Sequence, residues 1–202
     1  MSSSSGNKKV SERARLVSQL NYDLLSVISN FQIAEDFVSA IPHTTGHIHE
    51  TFVAQFAQGK EQDRYILQRI NHHVFSNPPA VMRNIVRVTK HIREKLCSSG
   101  KSQISRLVLE VIPALDGKPF YRDDQGNYWR TYTFIENAVT HDIVNSNKLA
   151  FEVAKTFGLF QSLLIDLPPP RLTETIPAFH QISERLASLE HAVEKDVYNR
   201  AN

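Results

Sequence analysis

The hydrophobic pattern of this 202-residue chain changes in character after Glu136, and from about residue 138 onwards it is entirely helical. Before that point, most apolar residues lie in short β-branched and aromatic runs separated by turn residues, which is typical of antiparallel strands. After it, apolar residues recur every three or four positions, as on one face of an α-helix. Strands followed by helices, rather than alternating with them, predict an α+β fold and not a doubly wound parallel sheet.

About five strands are expected in the first part of the chain. Their runs are rich in β-branched and aromatic residues and lie at 37–41, 48–53, 64–70, 107–112 and 128–135. Turn residues separate the runs, and Gln58-Gly59-Lys60 is expected to close a hairpin between the second and third strands. This spacing predicts a mainly antiparallel sheet.

Apolar stripes at helical spacing predict four helices. One stripe runs from Leu16 to Phe31, a second follows Asn77-Pro78-Pro79, and two more span 149–164 and 179–193. The prolines of Leu167-Pro168-Pro169-Pro170 predict a rigid linker between the last two helices. The second helix carries a basic outer face, which is expected to be solvated. Its residues are Arg83, Arg87, Lys90, Arg93 and Lys95.

Charge and cysteine content argue against several classes of protein. The 23 Lys and Arg residues against 21 Asp and Glu give a formal net charge of +2, too low for a dedicated nucleic-acid-binding protein. The single cysteine, Cys97, excludes an intramolecular disulfide and a cysteine-based zinc site. No apolar run approaches the roughly 18 residues of a membrane span, and residues 1–10 lack the apolar region of a secretory signal. We therefore expect a cytoplasmic protein with a disordered tail at 1–10 and no membrane or nucleic-acid partner.

The sequence offers no clear metal-binding or nucleophilic pattern. The adjacent His72 and His73 point in different directions in any regular element, so no metal site is expected. Cys97 lies at the end of a predicted helix and is expected to be a structural or incidental thiol. The segment 44–52 places one glycine at a hairpin tip. Such a tip either holds phosphate through backbone N–H groups or is an ordinary turn.

Five segments, taken in their order, carry a resemblance to a known family. They are Gly46–Phe52, Tyr65–Asn71 with Val74 and Phe75, Gly126–Glu136, Phe157–Gln161, and Glu174–His180 with Arg185. The resemblance as a whole covers about residues 12–200. They resemble the aminoglycoside phosphotransferase and choline kinase family, in particular its branch of N-acetylhexosamine 1-kinase-like sugar kinases.

The resemblance implies a kinase-like N-lobe and hinge at residues 11–137, followed by part of a helical C-lobe at 138–202. It implies ATP and Mg²⁺ as cofactors of the parent protein and a sugar or amino sugar hydroxyl as the acceptor. The nucleotide-binding residues would come from the first hairpin, the third strand and the hinge. They would be Thr45, Gly46, His47, Gln68, Phe134, Ile135, Glu136 and Asn137.

The third strand departs from the kinase pattern. A lysine or arginine usually stands there and pairs with a glutamate of the following helix. Register places Gln68 in that position, and Asn84 lies near the expected glutamate, so both partners are neutral. The resemblance also offers His180 and Arg185 as weak candidates for substrate binding, although helix capping and surface charge are the favoured explanation for them. Trp129 and Arg130 are expected to be structural, Trp129 by packing and Arg130 through a salt bridge, and contact with the sugar is the alternative role for both.

The catalytic segment of such kinases is not found in the sequence. They use a His-x-Asp-x-x-x-x-Asn segment, whose aspartate is the catalytic base, and its asparagine together with a further aspartate binds Mg²⁺. The most similar segment in this sequence begins at His191, and the spacing of its residues is wrong. By resemblance that segment would follow residue 202, so this chain is expected to be the N-terminal part of a kinase, inactive alone and without catalytic or metal-binding residues. The missing lobe or a partner would then cover the last helices. The alternative is a non-catalytic lobe that binds a nucleotide or a partner.

Overall fold

The computed structural model describes residues 22–43, 46–59, 61–141, 143–179 and 181–200. Within these ranges the fold is α+β, as expected, with one antiparallel sheet of six strands and four α-helices. The strands are β1 Asp36–Pro42, β2 Glu50–Gln58, β3 Glu61–Ile70, β4 Val111–Ile112, β5 Tyr121–Arg122 and β6 Tyr128–Thr133. The helices are α1 Leu24–Ile28, α2 Pro78–Ser98, α3 Asn147–Leu164 and α4 Ile182–Lys195.

The sheet is ordered β1-β2-β3-β6-β4, and β5 also pairs with β6. The β2–β3 hairpin is tight, since Gln58 pairs with Glu61 across a two-residue connection. Gly59 lies in that turn at a φ of +65°, a left-handed conformation that glycine adopts without steric cost. The long helix α2 is inserted between β3 and β4, so β6 returns to pair with β3.

One face of the sheet forms the main hydrophobic core. Alternation along the strands places Phe52, Leu67 and Trp129 on this face, each at most 1% exposed. Helix α1 packs against them through Leu24, Val27 and Ile28. Burial of each such side chain contributes about 1.5–3 kcal/mol.

Helix α1 ends because polar side chains bond its last carbonyls. Asp23 begins the helix by accepting from the Ser26 N–H at 3.1 Å. Ser29 and Asn30 then bond the carbonyl oxygens of Leu25 and Ser26. Phe31, which we expected at the end of the helical stripe, instead reaches the core from the following loop and is 2% exposed. The part of the expected helix before residue 22, and the tail at 1–10, lie outside the described residues.

Helix α2 begins where the asparagine–proline signal predicts. The Asn77 side chain accepts from the Ala80 N–H at 3.1 Å, and proline occupies the first helical positions, where no intrahelical N–H bond is lost. Ala80, Val81 and Met82 are buried at this end of the helix. Met82 lies 3.9 Å from an Arg130 nitrogen, so this end of α2 packs on the second face of the sheet.

The basic face of α2 is not uniformly solvated, contrary to expectation. Arg87 donates to the carbonyl oxygens of Pro168 and Pro170, both at 2.8 Å, and Lys95 donates to Asp166 at 2.6 Å. The proline linker has backbone carbonyls but few N–H groups, so cationic donors suit it. These contacts hold residues 166–170 against α2, while Arg83 and Lys90 are exposed.

Helices α3 and α4 expose apolar side chains. Leu163 and Leu164 of α3 pack near Ile92 and Leu96 of α2. Neither helix buries a residue fully, and several apolar side chains are at least 50% exposed. They are Phe151, Phe157, Leu159, Ile182, Leu186, Leu189 and Val193. None of the helices that the structure describes is both long enough and apolar enough to cross a bilayer.

The expected strand at 107–112 is wrong for most of its length. Residues Ile104–Arg106 form a 3-10 turn, and only Val111 and Ile112 pair with β6. Val108 turns instead towards α2, where it packs with Ile92 and Leu96. The second strand also begins later than expected, at Glu50 rather than residue 48.

Candidate functional site

Three polar residues form one row across the middle of the sheet. Thr51 of β2 is the register partner of Gln68 of β3, and Gln68 is the register partner of Arg130 of β6. Register partners point to the same face, so the three side chains lie side by side. This face is the one on which Met82 of α2 packs.

Hydrogen bonds along the row fix the orientation of the Gln68 amide. Its Nε2 donates to Thr51 Oγ1 at 2.7 Å. Its Oε1 accepts from Arg130 Nε at 2.9 Å and from Arg130 Nη2 at 2.6 Å. Gln68 therefore holds the arginine through a neutral oxygen, and the Thr51 hydroxyl keeps its own proton free to donate.

Arg130 is a buried cation, only 8% exposed. Among the described residues, no carboxylate forms an ion pair with it, so the expected salt bridge is wrong for this part of the chain. Its remaining contacts are Met82 Sδ at 3.9 Å and the Tyr132 ring, whose centroid is 5.2 Å from the guanidinium carbon. Burial lowers the pKa of Arg130 and raises the pKa of Tyr132 to about 12.

The connection between β1 and β2 is tied to the end of β3 through Asn71. The Asn71 side chain donates to the Ile48 carbonyl at 3.0 Å, and its backbone N–H donates to His49 Nδ1 at 3.1 Å. The His49 ring also stacks on Phe75 with centroids 5.3 Å apart. Burial, together with the nearby Arg130 charge, lowers the pKa of His49 to about 4, so this ring is neutral at pH 7.

The structure leaves the expected phosphate-binding tip open. Gly46 and His47 are exposed, and an added Cβ on Gly46 would meet no atom within 4 Å. Nothing in its local packing therefore requires glycine at this position. Thr45 lies outside the described residues. The role of this tip stays a prediction.

The chain leaves the sheet through residues 134–137, which Arg64 and Arg106 hold. Phe134 N–H donates to the Arg64 carbonyl at 3.0 Å, and the Arg64 guanidinium lies 4.0 Å from the Phe134 ring centroid. Both Glu136 oxygens accept from Arg64, which raises the pKa of Arg64 and lowers the pKa of Glu136. Arg106 donates to the Glu136 carbonyl at 2.6 Å. Asn137 follows at a left-handed φ of +55°.

Ile135 stands between these anchored residues with its backbone unpaired. Among the described residues, neither its N–H nor its C=O forms a hydrogen bond. On either side of it, the Phe134 N–H and the Glu136 carbonyl are already used. Ile135 therefore presents one free donor and one free acceptor on a segment that side chains hold in place.

The sheet face that carries Thr51, Gln68 and Arg130 extends from the β1–β2 connection to residues 134–137. Along β6 and its continuation, Arg130, Tyr132 and Phe134 alternate onto the same face. At the usual strand rise, Arg130 and Phe134 are about 13 Å apart. The structure therefore places Gln68 near the anchored end of the β1–β2 connection, and residues 134–137 at the other end of the same face.

The remaining candidates do not join this arrangement. Asn84 bonds both backbone groups of Thr173, at 2.7 and 3.1 Å, instead of approaching Gln68. Arg185 is exposed and donates to the nearby Phe179 carbonyl at 3.5 Å, while His180 lies outside the described residues. Two cavities of about 320 and 380 Å³ lie beside α2, and no candidate nucleotide-binding residue lines either of them.

Sequence reasoning missed Thr51, Asn71 and the part played by Arg130. The available signal was a charged residue inside the aromatic run of 128–135, where a buried strand rarely carries one. No group of three or more His, Cys, Asp or Glu residues that could hold a metal ion occurs among the residues that the structure describes. No known protein-family model matches the sequence.

Proposed function

We propose that this chain is the nucleotide-binding lobe, with the first following helices, of an ATP-dependent small-molecule phosphotransferase that acts on a sugar or amino sugar hydroxyl. The order of elements supports this proposal. The chain runs from the β1–β2 connection to β3, to the long helix α2 and then to the remaining strands. The exit segment at 134–137 follows, and after it come α3 and α4. Kinase-like lobes use such an order, in which a hairpin loop covers the phosphates.

The free backbone pair of Ile135 is the observation that carries the proposal. The edge of adenine offers one donor, the 6-amino group, beside one acceptor, N1. One free C=O and one free N–H on a single residue complement that edge. Arg64 and Arg106 hold the segment, so little conformational freedom is lost on binding.

The row formed by Thr51, Gln68 and Arg130 does not fit a magnesium site. Mg²⁺ is bound by one or two carboxylates together with substrate phosphates, and the hydrogen-bonded row consists of a hydroxyl, an amide and a guanidinium. We therefore assign no phosphoryl-transfer step to these residues. The proposal for them is recognition of the nucleotide.

Nucleotide titration tests this proposal. Fluorescent N-methylanthraniloyl-ATP, titrated against the full chain, is expected to bind and to be displaced by ATP. The variant Ile135→Pro removes the free N–H without removing an internal hydrogen bond, so affinity is expected to fall about 2- to 12-fold. Val139→Pro, at an exposed position shortly after residues 134–137, serves as the control. Absence of any displaceable binding to the wild-type chain would refute the proposal.

A second candidate function is a partner-binding lobe without catalysis. The exposed apolar residues of α3 and α4 favour it, because soluble monomers rarely leave large contiguous apolar patches uncovered. A chain that binds no nucleotide but forms a stoichiometric complex through these helices would support this candidate instead.

A further inference from the structure

We propose that Arg130, held by Gln68, is the cation that binds the phosphate groups of the nucleotide, so that β6 supplies the charge that β3 lacks. This inference rests on the proposed nucleotide-binding function and adds its anion-binding residue. The chemical class of the ligand is a polyphosphate, whose oxygens an arginine fork matches in geometry and charge. Gln68 is the positioning residue.

The first argument is the energetic cost of the buried charge. A buried guanidinium without an anionic partner is unfavourable by several kcal/mol, and buried charges in proteins are normally paired. Arg130 is 8% exposed and, within the described part of the chain, its acceptors are the neutral Gln68 oxygen and a thioether sulfur. A ligand that brings negative charge would compensate this cost.

The second argument is that Arg130 and Thr51 keep hydrogen-bond donors available for a ligand. Gln68 Oε1 accepts from Nε and Nη2 of Arg130, whereas Nη1 has, among the described residues, only Met82 Sδ at 3.9 Å as an acceptor, and a thioether sulfur is a weak one. Thr51 accepts from Gln68, so its hydroxyl proton is free to donate. A cationic donor and a hydroxyl donor thus flank Gln68, both suited to phosphate oxygens.

The third argument is location. Arg130 lies on the same face as Phe134, and about 13 Å of strand separates the two residues. An extended nucleoside triphosphate with its base at Ile135 would direct its phosphates along this face towards the row. Met82 is the flexible side chain that contacts Nη1, so its movement would open the guanidinium to a ligand.

The neutrality of Gln68 fits this role. A glutamate at position 68 would accept the same two bonds from Arg130 but would neutralise its charge. A glutamine oxygen orients the guanidinium while leaving the positive charge for a ligand. The substitution Gln68→Glu therefore separates the two effects.

Binding and melting measurements on the full chain test this inference. The probes are N-methylanthraniloyl-ATP and inorganic tripolyphosphate, which lacks the base. Arg130→Met is expected to weaken binding of both probes about 10- to 100-fold, the range for loss of a charged hydrogen bond, and Arg130→Lys is expected to restore part of it. Arg83→Met removes the same charge from an exposed position of α2 and is expected to leave affinity unchanged.

The melting temperature distinguishes a ligand-binding Arg130 from a purely structural one, because replacing a structural arginine would lower it. Arg130→Met removes an uncompensated buried charge, so its melting temperature is expected to equal or exceed that of the wild type. Gln68→Glu is expected to raise the melting temperature while weakening tripolyphosphate binding. If Arg130→Met does not fold, Gln68→Glu and Arg130→Lys decide the question.

The outcomes separate this inference from the proposed function. Nucleotide binding that is unaffected by Arg130→Met and Gln68→Glu would overturn the inference and leave the nucleotide-binding function standing. Arg130-dependent binding of tripolyphosphate without any preference for the nucleotide would support the anion site and refute the proposed function. A wild-type chain that binds neither probe would overturn both.

Discussion

The indole nitrogen of Trp129 donates a 2.8 Å hydrogen bond to Oδ2 of Asp123. Trp129 is fully buried in the main core, so this bond joins the core to the turn between β5 and β6. Asp123 also accepts from the side chain and backbone of Asn127, at 2.9 and 2.8 Å. Burial alone would raise the pKa of Asp123, but these hydrogen bonds outweigh it and lower the pKa.

Replacing Asp123 by Asn is expected to destabilise the fold by about 1–3 kcal/mol. The asparagine oxygen can keep the backbone bonds of the turn, but its amide nitrogen would then face the Trp129 N–H. Urea unfolding of both proteins measures the difference. Asp124→Asn, at the exposed neighbouring position, is expected to have little effect. Equal unfolding free energies for Asp123→Asn and the wild type would show that the bond does not hold the turn.

The exit segment is expected to loosen when its two arginine anchors are removed. The Arg64–Glu136 pair is exposed, so the double variant Arg64→Ala/Arg106→Ala should change the unfolding free energy by only about 1 kcal/mol. Amide hydrogen exchange at Phe134, whose N–H bonds the Arg64 carbonyl, should nevertheless become faster, because the side-chain contacts that hold the segment are lost. Arg83→Ala is the matched control. Unchanged exchange at the Phe134 amide would contradict the assigned role of the anchors.

His49 is expected to make stability pH-dependent. Its folded pKa of about 4 lies below the usual value of about 6.5, because burial and the Arg130 charge disfavour protonation. Above about pH 6.5 both states are neutral and the full stability is present. As the pH falls from there towards 4, the unfolded state binds a proton that the folded state does not, so stability falls.

A comparison of melting temperatures at pH 7 and pH 5 measures this effect. His49→Asn retains an acceptor for the Asn71 N–H but cannot be protonated, so its melting temperature should decrease less between the two values. His73→Asn, at an exposed position, controls for the other histidines. Parallel curves for the wild type and His49→Asn would rule out His49 as the source.

The apolar faces of α3 and α4 are expected to cause self-association or dye binding. Phe157 and Leu189 are 66% and 60% exposed, and a large apolar patch favours association. The double variant Phe157→Glu/Leu189→Glu is expected to shift the chain towards the monomer in sedimentation measurements. Lys155→Glu, a charge change on the same helix, is the control. Monomeric behaviour of the wild type without dye binding would contradict this prediction.

Elements with strong local signals could be predicted from the sequence. The β2–β3 hairpin has a glycine at a position that needs a left-handed φ, and α2 begins at a capping asparagine followed by prolines. The strand at 107–112 could not be predicted correctly. Its apolar residues satisfy a strand pattern, but Gln103 adopts a left-handed φ of +56° before the 3-10 turn, and Val108 packs on α2.

The site could be predicted only in part. Gln68 and Arg69 lie on opposite faces of the sheet, as strand alternation requires, since Gln68 bonds Arg130 while Arg69 bonds Glu50. The partner of Gln68 was expected on the following helix and lies instead on β6, 62 residues along the chain. The β3–β6 register decides this pairing, and local patterns do not reveal the register between strands that an inserted helix separates.

The contacts between α2 and the proline linker have a consequence for how the molecule is held together. Among the described residues, no backbone–backbone hydrogen bond joins the chain before residue 141 to the chain after residue 143. Side-chain contacts make that connection, among them the exposed Lys95–Asp166 ion pair, the bonds from Arg87 to the linker carbonyls, and the apolar packing of Leu163 and Leu164 on α2. High ionic strength therefore weakens the ion-pair part of this connection and leaves the apolar packing of α3 on α2 in place.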